Sequence, residues 1–331
     1  MSSLANSTVG STQPNVISYP HVYGPDPERE PNLAALLSQL EKRFNNAVCC
    51  TLVYGSCLRS GDIYDGLLDL YLIVDDYSAA YGRGFMAGAN WLLPPNVFYA
   101  EQHPVPGGEN QVLRSKVTVI SLPDFQQRCS TDRFESYIWG RFAQPTRLLR
   151  ARDDAARADV IRALANASGT LLQNALPALP PQGKVTDLWE EALGLSYATE
   201  LRTERAGRAG ELARSSADFY AAMSRAHAGR LAFPFEVEER EGQWFYRSET
   251  TAGDRRKSRL RWATRRIQGK LLSISRLVKA LFTFDGGLDY IAWKLERHSG
   301  EEIVIPPRVR RAPLIFMWPF FWGLYRRGIF K

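Results

Sequence analysis

The sequence predicts an α/β layer followed by a mostly helical half. Three observations predict it. Short β-rich runs alternate with helical patterns as far as about residue 152. A Pro-rich stretch, 177–182, then breaks the chain. Beyond it apolar residues recur mainly at helical spacing, and Arg255 to Phe284 reads as one long basic helix. With 331 residues, 45% of them hydrophobic, the chain can bury one large core or two ordinary ones.

The elements follow in order. Asn32 comes after Pro31 and is placed to cap a helix. Leu33, Leu36, Leu37, Leu40 and Phe44 continue that helix at its period. Val48 to Tyr54 is an apolar strand that ends in Gly55-Ser56, and Leu67 to Val74 is a second. Further strands are expected at Val97–Ala100, Val117–Ser121 and Arg147–Arg150, with helices over Ala79–Leu92 and Asp132–Arg141. Asp153 to Ala175 is Ala-rich and helical. Helices are expected over Asp187–Arg205 and Glu211–Arg230, and a hairpin over Phe235–Arg247 turning at Glu241-Gly242. Leu288 to His298 continues helical after Gly286-Gly287. The pattern divides the chain into a flexible arm (1–30), an α/β unit (31–180), a helical unit (181–298) and an aromatic, basic tail (299–331).

The net charge is +7, unevenly spread. Residues 1–110 hold 5 basic and 11 acidic side chains, and residues 251–331 hold 18 basic and 6 acidic. The C-terminal quarter should therefore face an anionic partner, nucleic acid or anionic lipid. The cysteines Cys49, Cys50, Cys57 and Cys129 show no metal-ligand spacing and no disulfide framework. They read as small buried hydrophobes of a reducing compartment. The four histidines do not cluster. The first twenty residues lack an apolar core and an early arginine, which excludes a secretory signal or an Arg-rich transit peptide there. Pro313 to Tyr325 is the longest apolar run, too short to cross a bilayer as a helix and interrupted by Pro319.

The Gly55-Ser56 turn and the strand after it carry the chemistry. Glycine lets backbone approach a phosphate, and exposed N–H groups with the Ser56 hydroxyl can cradle its oxygens. Asp69, near the start of the second strand, offers a hard oxygen to Mg²⁺, which binds through one or two carboxylates plus phosphates. This is how nucleotidyltransferases of the polymerase-β type hold a nucleoside triphosphate. That superfamily normally carries Asp-x-Asp here; in this chain the second position is Tyr71. Asp75 and Asp76 end the strand. Asp75 lies about 20 Å from Asp69 at 3.3 Å per residue, too far to share a metal, so both read as loop or cap residues. Asp62, Asp65 and Glu101 are the nearby candidates for a second ligand.

Five elements in order resemble the mitochondrial-type phosphatidate cytidylyltransferases, the peripheral CDP-diacylglycerol synthases, in a bacterial form. They are Tyr54-Gly55-Ser56 with the single-Asp strand LLDLYLIVDD; Lys116 in KVTVIS; Tyr137-Ile138-Trp139-Gly140-Arg141 with Pro145; Gly194-Leu195-Ser196-Tyr197 with Glu200, Leu201 and Arg202; and LVKALFT with Lys279 and Thr283. Cys57 stands where the family usually has a second Gly, and Ala280 replaces its late Gly. Residues 299–331 have no counterpart in the mitochondrial proteins.

The resemblance implies a nucleotidyltransferase domain, a winged-helix-like domain and a C-terminal helix that engages membrane. It implies the transferase reaction of CTP with phosphatidate, giving CDP-diacylglycerol and pyrophosphate for phospholipid biosynthesis, with Mg²⁺ or Mn²⁺. Asp69, Ser56 and Lys116 become the expected catalytic residues, Asp69 as metal ligand. Gly55, Ser56, Arg141, Glu200, Arg202 and Lys279 become the expected substrate-binding residues. The expected place is the bacterial cytoplasm, peripheral on the inner face of the cell membrane. The tail places Trp318, Phe320, Phe321 and Trp322 between arginine pairs, as a segment in the headgroup boundary would. Two alternatives stay open: another nucleotidyltransferase acting on a protein, metabolite or tRNA, and a non-catalytic winged-helix nucleic-acid binder. The aromatic residues among the tail's arginines favour membrane over nucleic acid.

Overall fold

The computed structural model describes residues 18–201, 207–283 and 303–311, with isolated positions at 296, 316, 319, 320, 322, 323 and 326. It is a mixed α/β structure about half helical, built on a five-stranded mixed sheet. No helix among the described residues is long and apolar enough to cross a membrane.

Helix α1 (Pro31–Arg43) starts differently from expectation. Pro31 occupies its first turn, where a missing N–H costs nothing, and Asn32 is not its cap. The Asn32 side chain is buried and bonds outward instead. It donates to Glu109 O (2.8 Å) and Tyr64 Oη (3.0 Å) and accepts from Val105 N (2.9 Å). The leucine stripe of α1 covers one face of the sheet.

The sheet contains β1 (Val48–Tyr54), β2 (Leu68–Val74), β3 (Asn96–Gln102), β4 (Leu113–Ser121) and β5 (Thr146–Ala151), in the order β3-β4-β2-β1-β5. Strands β2 and β4 are parallel, and the other neighbours are antiparallel. Alternation assigns the faces. Leu68, Leu70, Leu72 and Val74 pack with α1, while Tyr71 and Ile73 face the other way. That second face is covered by α5 (Leu122–Arg128), α6 (Trp139–Phe142) and α7 (Asp154–Ala175). Asp69 belongs to it by period, at the start of β2.

Two expected helices are interrupted. The one expected over Ala79–Leu92 is α3 (Tyr77–Tyr81) and α4 (Phe85–Leu92), because Gly82 turns to positive φ (71°) between them. Of Asp132–Arg141, only the final residues are helical, in α6. Ser130 and Asp132 bond to nearby backbone and to each other there, and such side chains compete with helix formation.

Past the 3-10 turn Leu176–Ala178 lie β6 (Gln182–Lys184), α8 (Val185–Tyr197), α9 (Arg208–Ser215), α10 (Ala217–His227), β7 (Phe235–Arg240) and β8 (Gln243–Ser248). The helix expected over Glu211–Arg230 is two, split at Ser216, whose backbone leaves the helical region. The helix expected to reach Arg205 ends at Tyr197, and 202–206 lie outside the described residues. Strands β7 and β8 form the expected hairpin, with Glu241 and Gly242 both at positive φ (51° and 74°) as a two-residue turn requires. They extend a small sheet of order β6-β8-β7. Helix α11 (Ala252–Thr283) follows.

One core runs from the large sheet into this second half. It joins Leu52, Tyr71 and Phe142 to Trp189, Tyr220, Phe235 and Trp262. The arm expected to be flexible is pinned over its described residues, because Tyr19 Oη accepts from Thr146 N (3.1 Å) and its ring meets Phe219 edge-on. Arg147 also donates to Gly24 O (2.8 Å). At the tail, Ile303, Ile305 and Val309 are buried, and Pro307–Arg311 is a short helix. Phe320 is half-buried and Trp322 is exposed; Trp318 and Phe321 lie outside the described residues.

Candidate functional site

Sheet register builds the site. Thr146, Tyr54, Asp69, Lys116 and Tyr99 are paired across five strands in one row. Paired residues share a face, so the row brings an acid and a base from distant stretches side by side. Lys116 Nζ stands 3.9 Å from Asp69 Oδ1, both side chains about one-third exposed. The pair is loose enough to leave carboxylate oxygen available to another partner.

The Gly55-Ser56 turn borders this pair. Gly55 has φ of +96°, and a Cβ there would lie 3.2 Å from Asp69 Oδ2. Glycine is needed both for the left-handed backbone and for room beside the carboxylate. Ser56 opens the short helix α2 (Cys57–Ser60), and its exposed hydroxyl makes no capping bond. Cys57, behind it, is buried. Burial and the neighbouring Asp69 push its thiol up to about 12, so it stays protonated and unreactive.

Arg141 lies on the inner side. It donates to Tyr54 Oη (2.9 Å) and to both oxygens of Glu200 (3.2 and 3.3 Å), and lies over the Tyr137 ring at 4.6 Å. Burial alone would weaken its charge, but Tyr137, Tyr54 and Glu200 outweigh it and hold the guanidinium protonated. Burial likewise raises Tyr54 above the usual phenol range, so its hydroxyl is neutral. This contact ties α6 and β1 to the segment after α8. Tyr71, where the superfamily has its second carboxylate, is fully buried against Phe142 and Tyr54.

The expected site residues therefore divide. Gly55, Ser56, Asp69 and Lys116 meet at one end of the sheet, and Arg141 and Glu200 join them through Tyr54. Arg202 lies outside the described residues. Lys279 is engaged elsewhere: its Nζ donates to Asn90 Oδ1 (2.8 Å), Leu93 O (2.7 Å) and Pro95 O (2.7 Å). Burial and Arg276 lower it to about 8, while three oxygen acceptors favour the ammonium.

The remaining carboxylates have local work. Asp62 accepts from the backbone of its own loop, Tyr64 N at 2.7 Å. Glu101 accepts from Tyr99 Oη and pairs with Arg114 at 3.3 Å. Asp75 holds Arg152 through both oxygens (2.6 and 3.0 Å), and Asp76 caps α3. Among the described residues no three His, Cys, Asp or Glu side chains gather as a metal site. A lone carboxylate beside a phosphate-sized turn still suits Mg²⁺, which keeps waters and takes most of its other ligands from substrate phosphates.

A cleft of about 310 Å³ opens beside the turn, lined in part by His21, Tyr23, Gly55, Arg59, Gln144 and Phe219. These residues come from four separate stretches, which is why sequence reading missed them. Only Gly55 carried a local signal.

A scan against protein-family models finds no match, and a search of curated proteins finds none either.

Proposed function

We propose that the chain is a CTP:phosphatidate cytidylyltransferase acting at the inner surface of a bacterial membrane. The observation that carries the reading is the Asp69–Lys116 pair at 3.9 Å beside the positive-φ glycine of a Gly-Ser turn. An acid, a cation and close-approach backbone are what a nucleoside triphosphate and its metal require. The sequence elements that resemble the cytidylyltransferases narrow the acceptor to phosphatidate.

In this reading the Gly55 and Ser56 amides and the Ser56 hydroxyl hold the terminal phosphates of CTP. Lys116 neutralises charge on the triphosphate. Asp69 would hold Mg²⁺, which when bound shields the phosphate charge and favours departure of pyrophosphate. The acceptor is a phosphate monoester with second pKa near 6, so it is already a nucleophile at neutral pH. Its oxygen bonds to the α-phosphorus of CTP, and the bond from that phosphorus to the β-phosphate oxygen breaks. No protein base is needed; the work is alignment and charge neutralisation. Arg141 is held by Glu200, so a substrate phosphate has to compete with a carboxylate for it. We assign this pair to positioning Tyr54 and the turn.

The helical half supports the winged-helix-like reading by its order, α7–β6–α8–α9–α10–β7–β8, with a three-stranded sheet and a hairpin wing. The test is an acceptor panel. Protein, Mg²⁺ and each of CTP, UTP and ATP are incubated with phosphatidate or other phosphorylated acceptors, following pyrophosphate. CTP with phosphatidate should be the productive pair. Equal use of ATP without a lipid acceptor would move the assignment to another nucleotidyltransferase.

A further inference from the structure

Helix α11 turns one row of residues inward. Trp262, Gly269 and Arg276 recur every seven residues, about two helical turns, and so lie on one face. Trp262 is buried and donates from Nε1 to Asn174 O (3.0 Å), as a residue covering a core would. Gly269 and Arg276 are of another kind. Glycine in mid-helix is unfavourable relative to alanine. A buried guanidinium is more unfavourable still unless it is paired. Packing alone explains neither.

Gly269 allows a close approach. A Cβ there would stand 2.3 Å from Thr199 O and 3.0 Å from Thr199 Cβ. Thr199 is itself buried, with its Oγ1 2.9 Å from Ser136 Oγ. The next residue in the chain is Glu200, whose carboxylate holds Arg141. Arg276 reaches the same arginine by a second route. It donates to Glu135 Oε1 and, through Nε, to Pro94 O (3.1 Å). Its guanidinium carbon lies 4.1 Å from the centre of the Tyr137 ring, and that of Arg141 lies 4.6 Å from the centre of the same ring. A cation is drawn to an aromatic face. Two cations on one ring would repel, but each has its own carboxylate, Glu135 for Arg276 and Glu200 for Arg141. Arg276 thereby fixes the ring on which Arg141 rests.

Both routes from α11 end on Arg141. Arg141 donates to Tyr54 Oη (2.9 Å), and Tyr54 precedes the Gly55-Ser56 turn and pairs with Asp69 across the sheet. A displacement of about 1 Å at a reacting centre is enough to lower a rate substantially.

We propose that Gly269 and Arg276 of α11 are positioning residues that brace Arg141 and, through Tyr54, hold the Gly55-Ser56 turn beside Asp69. The proposal rests on the reading above for what the turn does. Neither residue touches substrate.

The test assays the full chain with CTP and a soluble short-chain phosphatidate, and follows amide hydrogen exchange by mass spectrometry. Arg276→Lys keeps a cation for Glu135 but loses the flat guanidinium that lies on Tyr137. It should keep its melting temperature, lower kcat roughly tenfold and leave KM for CTP within about twofold, because alignment is lost and charge is not. Placed in an Arg141→Lys background, the same substitution should lower kcat no further, since the brace acts through Arg141. Gly269→Ala, whose methyl must push α11 away from Thr199, should lower kcat in the same way. In both single variants the amides of residues 52–61 should exchange roughly tenfold faster or more, while those of the β7–β8 hairpin stay as in wild type. The proposal is overturned if Arg276→Lys turns over as wild type does, or if the losses from Arg276→Lys and Arg141→Lys multiply. It is also overturned if exchange rises equally in the turn and the hairpin, as general loosening would produce. A wild-type chain that releases no pyrophosphate with any acceptor would sink the enzymatic reading, and exchange at the turn would still decide the brace.

Discussion

Asp69 is the residue on which the account turns. Asp69→Asn should lower turnover roughly a thousandfold or more, because an amide is a poor ligand for a hard cation, with the melting temperature unchanged. A variant with near-wild-type rate would remove Asp69 from the site. Gly55→Ala is a harsher test of geometry. The new methyl would lie at positive φ and 3.2 Å from the Asp69 carboxylate. It should cost about 1–2 kcal/mol of stability and most of the activity. Denaturant melts alongside steady-state rates check both; an active, fully stable Gly55→Ala protein would contradict the close approach. Asp69 and Gly55 were legible in the sequence because each lies inside an unbroken strand-turn-strand pattern. The pairing of Asp69 with Lys116 was not, since it depends on parallel register between β2 and β4, forty-seven residues apart in the chain. Asn32 misled for a related reason. Its position allowed a cap, and only the fold supplied the loop at 105–109 that takes its amide.

At the scale of elements, Lys279 distinguishes structure from substrate binding. Its ammonium satisfies three oxygens between α4 and β3, and Lys279→Met would leave them without their donor. The variant should lose about 2–4 kcal/mol of stability while KM for CTP stays near wild type. Raised KM with unchanged melting would restore Lys279 to the substrate site. Strong period-2 and period-3.6 patterns placed the five strands, α1, α7 and α11 within a few residues. Interruptions were harder to foresee. The split at Gly82 is a matter of one glycine adopting positive φ, and the split at Ser216 rests on tertiary packing that periodicity does not record.

On the scale of the whole molecule, a single core links the sheet to the helical half, so a group buried at the junction reports on global stability. His227 is such a group. Its Nε2 bonds Ala165 O (3.1 Å), and its ring lies against Gly169 of α7. Burial, opposed by the Ala165 bond and helped by Arg230, lowers it to about 4. An unfolded histidine titrates near 6.5. Between those values the unfolded chain takes up a proton that the folded chain refuses. Stability from this residue is therefore complete above pH 6.5 and is lost as pH falls through 4, by up to about 3 kcal/mol. Urea melts across that range should show a shallower dependence in His227→Gln than in wild type; equal slopes would contradict the buried neutral imidazole. The most direct measurement for the function as a whole is the fate of the CTP phosphates. Protein, Mg²⁺ and phosphatidate are supplied with CTP radiolabelled at either the α- or the γ-phosphate, and the lipid is extracted. The α-label should appear in a CDP-lipid, with none from the γ-position and neither in Asp69→Asn. Label from the γ-phosphate in lipid, or an α-label that never leaves the aqueous phase, would contradict it.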